Sequence, residues 1–308
     1  MRSLALLAAT AVLAAASAGA RSERAVGAAR CLDFGDRATK LTLIEKLARN
    51  PEIVILGSSR AREAEPSLLQ ALTGHRGFNA AVTGGTAADG WVVTRLIAGR
   101  FPRGRRRYLL FVDAGIATNG VPPDLAADPR ARRYLPEDSP ASSNGCRVSR
   151  TRYRPDGSIA HHYQRPRAQR ARILARSVAA LVARIREHPP RPGPIDPRRY
   201  VYFERTIAFM NSQGARPVIV LNPIHPRVLA ELERYGFPKR AAALRYLAQL
   251  RERLDFVVVD CEDIRRWGGS AAHFENATHI DVVNMRRLLG HVVAHSDRAL
   301  ERDQGRPK

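Results

Sequence analysis

Cysteine, lysine, aromatic side chains and long apolar runs are all scarce in this chain of 308 residues. The three cysteines, Cys31, Cys146 and Cys261, are spaced as in no zinc-binding motif, which argues against a structural zinc site. No apolar run beyond residue 20 is long enough to cross a bilayer, so no transmembrane segment is expected after that point. Aromatic residues make up 6% of the chain and form no RNA-binding pattern, so nucleic acid is not expected as a partner.

Positive charge, in contrast, is abundant, and arginine carries almost all of it. The net charge is +22, and only four of the 51 basic residues are lysine (Lys40, Lys46, Lys239 and Lys308). Such an excess favours an acidic partner, such as an anionic polymer of a cell envelope. A compositional alternative stays open, because an arginine bias together with much alanine, glycine and proline is also typical of a GC-rich genome.

The first 20 residues have the pattern of a secretory signal. Arg2 supplies a positive start, Leu4 to Ala16 is apolar but too short to span a bilayer, and small residues follow at a suitable cleavage site. We therefore expect residues 1–20 to be removed and the protein to be secreted or held in the cell envelope. An uncleaved anchor is the alternative. Export would permit one disulfide among the three cysteines, and the sequence does not choose the pair.

The remainder, residues 21–308, is expected to form a single domain of the α/β class. Short apolar runs that end in glycine, asparagine or aspartate alternate with helical patterns, which predicts a parallel sheet. The five predicted strands cover residues 53–56, 77–82, 108–113, 217–221 and 256–260. An insertion of about residues 116–197 interrupts this alternation, and we interpret it as a lid or a substrate-facing wall. It contains a predicted helix from Arg165 to Glu187.

The turn after the first strand, Gly57-Ser58-Ser59-Arg60, falls at the carboxyl edge of the predicted sheet, where open α/β sheets bind their ligands. A helix is predicted to follow, over residues 61–73. A serine at a helix start has amides and a helix dipole beside it that favour developing negative charge. The structural alternative is that Ser58 and Ser59 only cap the helix.

A second polar loop, which contains His279, follows the fifth strand and therefore reaches the same edge. A serine hydroxyl is a weak nucleophile until a base removes its proton, and histidine is the usual base. Ser59 and His279 are therefore expected to lie within hydrogen-bond reach, although 220 residues separate them.

Together these blocks resemble the SGNH/GDSL hydrolases. Gly57-Ser58-Ser59 matches the nucleophile block, Phe78 to Gly84 the second block, and Phe274 to His279 the last block. The resemblance implies a three-layer α/β/α sandwich with a five-strand parallel sheet in flavodoxin-like order. It also implies that Ser59 is the nucleophile, that His279 is the base and that the amides of Ser59 and Gly84 hold the oxyanion. No cofactor or metal is implied.

Two positions depart from the family pattern. Asn276 stands where the family has the acidic residue, and the adjacent Glu275 is a possible substitute for that acid. The third block normally supplies an asparagine after strand three, whereas this chain has Asp113-Ala-Gly-Ile at that point. One oxyanion donor is therefore not identified from the sequence.

Three further residues are candidates for substrate binding. Arg60 follows the nucleophile and could steer an anionic substrate, while Asn222 and His225 follow the fourth strand. The structural alternatives are a solvent-facing arginine for Arg60, and capping and turn roles for Asn222 and His225. The neighbouring His161 and His162 suit a single metal ion poorly and are expected to belong to a solvated loop.

The function expected from these patterns is that of an exported serine esterase or O-acyltransferase. Its substrates would be acyl esters of cell-envelope glycans, with acetyl the group that the resemblance implies. The SGNH/GDSL branch with this form of the motifs neighbours polysaccharide O-acetyltransferases and envelope esterases. The alternative is a catalytically degraded protein of the same fold that binds an acidic envelope polymer.

Overall fold

Five parallel strands form the centre of the computed structural model, which describes residues 35–113, 120–139, 141, 151–160, 166–191 and 200–300. The strands are β1 (Ile53–Leu56), β2 (Gly77–Asn79), β3 (Arg107–Val112), β4 (Val218–Leu221) and β5 (Val257–Asp260). They lie in the order β2-β1-β3-β4-β5, which confirms the predicted parallel sheet and its flavodoxin-like order. All carboxyl ends therefore meet at one edge of the sheet.

Helices cover both faces of the sheet, which makes three layers. The helices in chain order are α1 (Gly35–Glu45), α2 (Pro66–Thr73), α3 (Ala87–Arg100), α4 (Pro123–Ala127), α5 (Pro129–Arg132), α6 (Arg167–Glu187), α7 (Val201–Ser212), α8 (Pro226–Arg234), α9 (Pro238–Leu250) and α10 (Val282–Ala294). One apolar core lies between the sheet and α1, α3, α7 and α9, and the other lies between the sheet and α2 and α10. Every residue of β1 and β4 is buried, as expected for strands covered on both faces.

Two elements differ from the sequence prediction. β2 ends at Asn79 instead of residue 82, and the segment after β1 is not one continuous helix. A short 3₁₀ turn, Ser59–Ala61, is followed by a break before α2 begins at Pro66. The break has a local cause, because the residue before a proline is pushed out of the helical region. Glu65 accordingly has extended backbone angles, with φ −89° and ψ 115°.

Asn79, the last residue of β2, binds the neighbouring chain through its side chain. Its side chain is fully buried, and its amide group donates to the carbonyl oxygens of Ala61 (3.0 Å) and Ala64 (2.8 Å). Its own Oδ1 accepts from the Ala81 amide at 2.9 Å. Backbone bonds to the β1 segment continue beyond Asn79, from the Ala80 amide to the Ile55 carbonyl oxygen (2.9 Å) and from the Val82 amide to the Gly57 carbonyl oxygen (3.3 Å). The Asn79 side chain ties the end of β2 to the segment that follows the Ser59 turn.

The described parts of the predicted insertion pack on the sheet domain. Leu125 of α4 and Ala131 of α5 enter the core beside α1 and α3. A small hairpin, Tyr153–Ile159, approaches the end of β2, where the buried Lys40 of α1 donates to the carbonyl oxygens of Asn79 (2.6 Å) and Gly157. Burial lowers the pKa of the Lys40 ammonium to about 7.

Several sequence predictions fall outside the described residues. These are the signal segment 1–20, Cys31, Cys146, and the pair His161 and His162. Cys261 is described, and its thiol is free and buried against the core on the α10 face. Over the described ranges, no helix combines the length and the hydropathy needed to span a membrane.

Replacing Asn79 with alanine tests its tying role. The variant Asn79→Ala should lower the free energy of unfolding by about 2–3 kcal/mol, because the buried carbonyl oxygens of Ala61 and Ala64 lose their donor. Chemical denaturation measures this loss.

Thr94→Val is the matched control. The Thr94 hydroxyl is also fully buried, but it has no hydrogen-bond partner among the described residues, so its removal should leave stability within about 0.5 kcal/mol. Equal effects of the two substitutions would contradict the role given to Asn79.

Candidate active site

The turn after β1 presents Ser59 at the carboxyl edge of the sheet. Gly57 has φ 150°, and a side chain there would come within 2.9 Å of Phe111 Cβ, so only glycine fits between β1 and β3. Ser58 caps the 3₁₀ turn, since its Oγ accepts from the Arg60 amide at 3.4 Å. The capping role therefore belongs to Ser58, and the Ser59 hydroxyl is left for another partner.

That partner is His279. Ser59 Oγ lies 2.8 Å from His279 Nε2, which confirms the predicted geometry. On the other side of the ring, Nδ1 lies 3.0 Å from Asn276 Oδ1. Oδ1 must be an acceptor, because it also receives the backbone amides of Thr278 (2.9 Å) and His279 (3.0 Å). Nδ1 therefore carries the proton, and Nε2 has a free lone pair toward the Ser59 hydroxyl.

The loop that holds this histidine is fixed at both ends and in the middle. Phe274 pairs with Ile280 across its base, and the Glu275 amide donates to the His279 carbonyl oxygen at 2.8 Å. At its tip, the Ala277 amide donates to Ser177 Oγ of α6 at 2.8 Å. Helix α6 of the predicted insertion thus contacts the loop that contains His279.

Asn276, not Glu275, occupies the acceptor position behind the ring. The Glu275 side chain is exposed, whereas Asn276 is half-buried and bonded to His279. Thr278 Oγ1 also lies 3.0 Å from Nδ1, so two neutral oxygens face this edge of the imidazole. The structure therefore gives His279 a fixed orientation, and the groups that fix it carry no charge.

The surroundings of His279 are positively charged. Burial lowers the pKa of its imidazole below the ordinary 6.5, and the nearby guanidinium groups of Arg60 and Arg62 lower it further. Asp113 acts in the opposite direction but does not reverse the shift. The ring is therefore neutral at pH 7, which is the form that accepts a proton.

The loop of the second block lies directly against the Ser59 turn. A side chain at Gly85 would come within 2.4 Å of the Gly57 carbonyl oxygen, so only glycine permits this approach. Gly84 has φ 61°, and its carbonyl oxygen accepts from the buried Arg37 of α1 at 2.9 Å. Two bonds to Asp89 in turn hold Arg37 (2.7 and 3.2 Å). Arg37 thus holds the Gly84 carbonyl group, and Gly85 packs directly against the backbone of Gly57 and Ser58.

Arg60 does not face open solvent. Its guanidinium group binds Asp113 Oδ1 at the end of β3 and the carbonyl oxygen of Pro223 after β4. Asn222 Nδ2 donates to the same Asp113 oxygen at 2.8 Å. The residues Arg60, Asp113 and Asn222 therefore link the ends of β1, β3 and β4. Asp113 is half exposed at the third-block position, so a substrate could reach it.

His225, a candidate for substrate binding, makes contacts that cap a helix and pack the loop that contains His279. Its Nδ1 accepts from the Arg227 amide (3.3 Å) and caps α8, and its ring meets Phe274 edge-on at 5.2 Å between centroids. The ring is buried, and this burial lowers its pKa. These contacts correspond to the capping alternative.

Sequence reasoning missed three supporting residues. Arg37, Asn79 and Asp113 reach the site only through folding, because their partners are 47, 18 and 53 residues away. The adjacent glycines 84 and 85 are the sequence signal for the close approach. Among the described residues, no group of three or more His, Cys, Asp or Glu side chains is arranged to hold a metal ion.

Comparison with known proteins gives no match, either to a protein-family model or to a curated protein.

The lowered pKa of His279 predicts the pH dependence of any reaction in which it is the base. For wild type, kcat/KM on an activated ester should reach half of its plateau at a pH below the ordinary imidazole pKa of 6.5, and should fall as the pH drops through that lowered pKa. In Asn276→Asp, the new carboxylate would stabilise the imidazolium, so the acid limb should move up by about one pH unit. A pH–rate profile measures both. An acid limb that stays in place in this variant would contradict the assignment of His279 as the titrating base.

Proposed function

We propose that this protein transfers acyl groups from esters, with Ser59 as the nucleophile. The observation that carries the proposal is the chain of hydrogen bonds from Ser59 Oγ through the His279 ring to Asn276 Oδ1. A serine, a base and a third group that orients the base form the arrangement that activates a hydroxyl for attack on a carbonyl carbon.

In this reaction Ser59 Oγ attacks the ester carbonyl while His279 Nε2 takes the hydroxyl proton. The carbonyl oxygen becomes negatively charged, and the amides of Ser59 and Gly84 are the proposed donors to it. The C–O bond to the alcohol then breaks, and His279 returns its proton to the leaving oxygen. A second alcohol or water, deprotonated by His279, attacks the acyl-serine and releases Ser59.

The acceptor determines whether the activity is that of an esterase or of an acyltransferase. Water gives hydrolysis, whereas a sugar hydroxyl gives transfer to a glycan. The signal-like segment 1–20 and the SGNH/GDSL resemblance support an extracytoplasmic, glycan-linked ester as the substrate. The positive charge of Arg60 and Arg62 near the reaction centre supports the same chemistry, since it favours an oxyanion.

Substitutions of Ser59 and Asn276 test this proposal in opposite directions. On an activated acyl ester, Ser59→Ala should lower kcat by at least about 10³-fold, because no nucleophile remains. Asn276→Asp should raise kcat by about tenfold or more, because a carboxylate stabilises the imidazolium that forms in the transition state.

A steady-state assay of wild type and both variants gives the answer. Ser212→Ala, an exposed serine on α7, is the matched control and should keep the wild-type rate. Equal rates for wild type and Ser59→Ala would overturn the proposed activity. A Ser59-dependent rate that Asn276→Asp does not raise would leave the nucleophile in place. It would assign the orienting role to neutral groups such as Thr278.

A second candidate function, polyanion binding, is favoured by the charge on α6. This helix contains six arginines, all exposed, and its single acidic residue is Glu187 at its last position. Only Arg186 makes an ion pair among the described residues, with Glu231 at 2.8 Å. Arginines in the first turn interact unfavourably with the helix dipole, so helix stability does not account for them. A surface of this kind suits a polymer of uronate or phosphate groups.

Neutralising part of α6 tests the binding function. The variant replaces four arginines of α6 with glutamine: Arg167, Arg170, Arg172 and Arg176. Its binding to polygalacturonate should be weaker by about tenfold at low salt. The effect should be smaller at 0.5 M salt, because salt screens exposed charges. Titration at two salt concentrations measures this.

The matched control removes the same charge elsewhere, by exchange of the exposed Arg49, Arg103, Arg205 and Arg245 for glutamine. Equal losses in both variants would show that net charge, not α6, determines binding.

A further inference from the structure

A partly open pocket lies beside the Ser59 turn and takes no part in the proton transfer described above. It has a volume of about 260 Å³ and lies between the carboxyl ends of β1 and β3 and the helices α3 and α7. Leu56, Leu110 and Phe203 supply apolar walls, and Gly90 of α3 leaves part of the space open. The His279 loop packs on the opposite face of the sheet, with Ile280 in the core beside α10.

The polar side chains that border this cavity already have partners. The Ser58 hydroxyl accepts from the Arg60 amide, and the Thr86 hydroxyl lies 3.1 Å from Asp89 Oδ2. The Thr206 hydroxyl donates to the Tyr202 carbonyl oxygen at 2.6 Å. Asp113, the remaining polar side chain, is held by Arg60 and Asn222. Apart from the half-exposed carboxylate of Asp113, the surface of the pocket is mainly apolar, which suits a hydrocarbon chain.

The cavity begins next to both groups that would hold the reacting carbonyl. Ser58 and Gly85 border it, and each is the chain neighbour of one of the two proposed oxyanion donors, Ser59 and Gly84. Consecutive Cα atoms are only about 3.8 Å apart. The pocket therefore begins one residue away from each proposed donor.

We infer that the cavity binds the hydrocarbon part of the acyl group, and that this group is longer than acetyl. The inference rests on the proposed function and adds the substrate class to it: esters of medium-length aliphatic acids. An apolar cavity of about 150 Å³ already holds a benzene molecule, so 260 Å³ is far more than a methyl group needs. Each buried methylene is worth up to about fourfold in kcat/KM.

The test compares esters that differ only in acyl length. Wild type should hydrolyse a 4-nitrophenyl hexanoate with kcat/KM at least about tenfold above that of the acetate. Gly90→Val fills the cavity, since a Cβ there meets only Leu56 Cδ1 at 3.8 Å and the branches must extend further. This variant should reverse the preference and keep the acetate rate within about threefold.

Gly290→Val is the matched control, because Gly290 is also a helical glycine and has no atom within 4 Å of an added Cβ. It should keep the wild-type ratio. A Ser59-dependent acetate rate with the same hexanoate-to-acetate ratio in wild type and Gly90→Val would overturn the acyl pocket and leave the proposed reaction intact.

If no ester is hydrolysed, binding of hexanamide shows whether the proposed reaction or the proposed pocket is wrong. The inactive Ser59→Ala protein should bind this uncharged probe, and Ser59→Ala combined with Gly90→Val should bind it at least about tenfold more weakly. Calorimetric titration measures both. Binding without ester hydrolysis would overturn the reaction but retain the apolar site. Equal binding by the two proteins, or no binding by either, would overturn the pocket.

Discussion

The hydrogen bond between Ser59 and His279 depends on the parallel direction of all five strands. Two strands, β3 and β4, lie between β1 and β5 in the sheet, yet β1 and β5 end at the same edge because every crossover returns the chain to the opposite edge. A reversed strand at either position would separate the two side chains by the length of a strand. The link from Arg60 to Asp113 and Pro223 has the same origin, since it joins the ends of β1, β3 and β4.

The charges around this hydrogen bond favour one part of an acyl transfer and oppose another. Arg60 and Arg62 lower the pKa of His279 and stabilise negative charge nearby, which helps an oxyanion. The same charges oppose an imidazolium, and Asn276 supplies no compensating carboxylate. The site is therefore better suited to a neutral base at pH 7 than to rapid turnover. A slow reaction or an activated substrate fits this balance.

Much of this architecture could be predicted from the sequence, because its signals are local. Apolar runs that end in glycine or aspartate located the strands, and the order of the blocks brought Ser59 and His279 to one edge. Local patterns did not predict three features: the end of β2 at Asn79, the break before Pro66 and the ion pair of Arg60. Asn79 and Arg60 bind partners far away in the chain, and a helical spacing of leucines obscured the effect of Pro66.

The Ser59 turn divides the sheet edge into two regions with different chemistry. On the α10 face, Phe274 and Ile280 anchor the loop that contains His279. On the α3 and α7 face, Leu56 and Leu110 border a mainly apolar pocket. Proton transfer and recognition of an acyl group would therefore use different side chains on opposite faces of the same sheet. Acyl-length preference could then change through single residues on α3 without disturbing the contacts that orient His279.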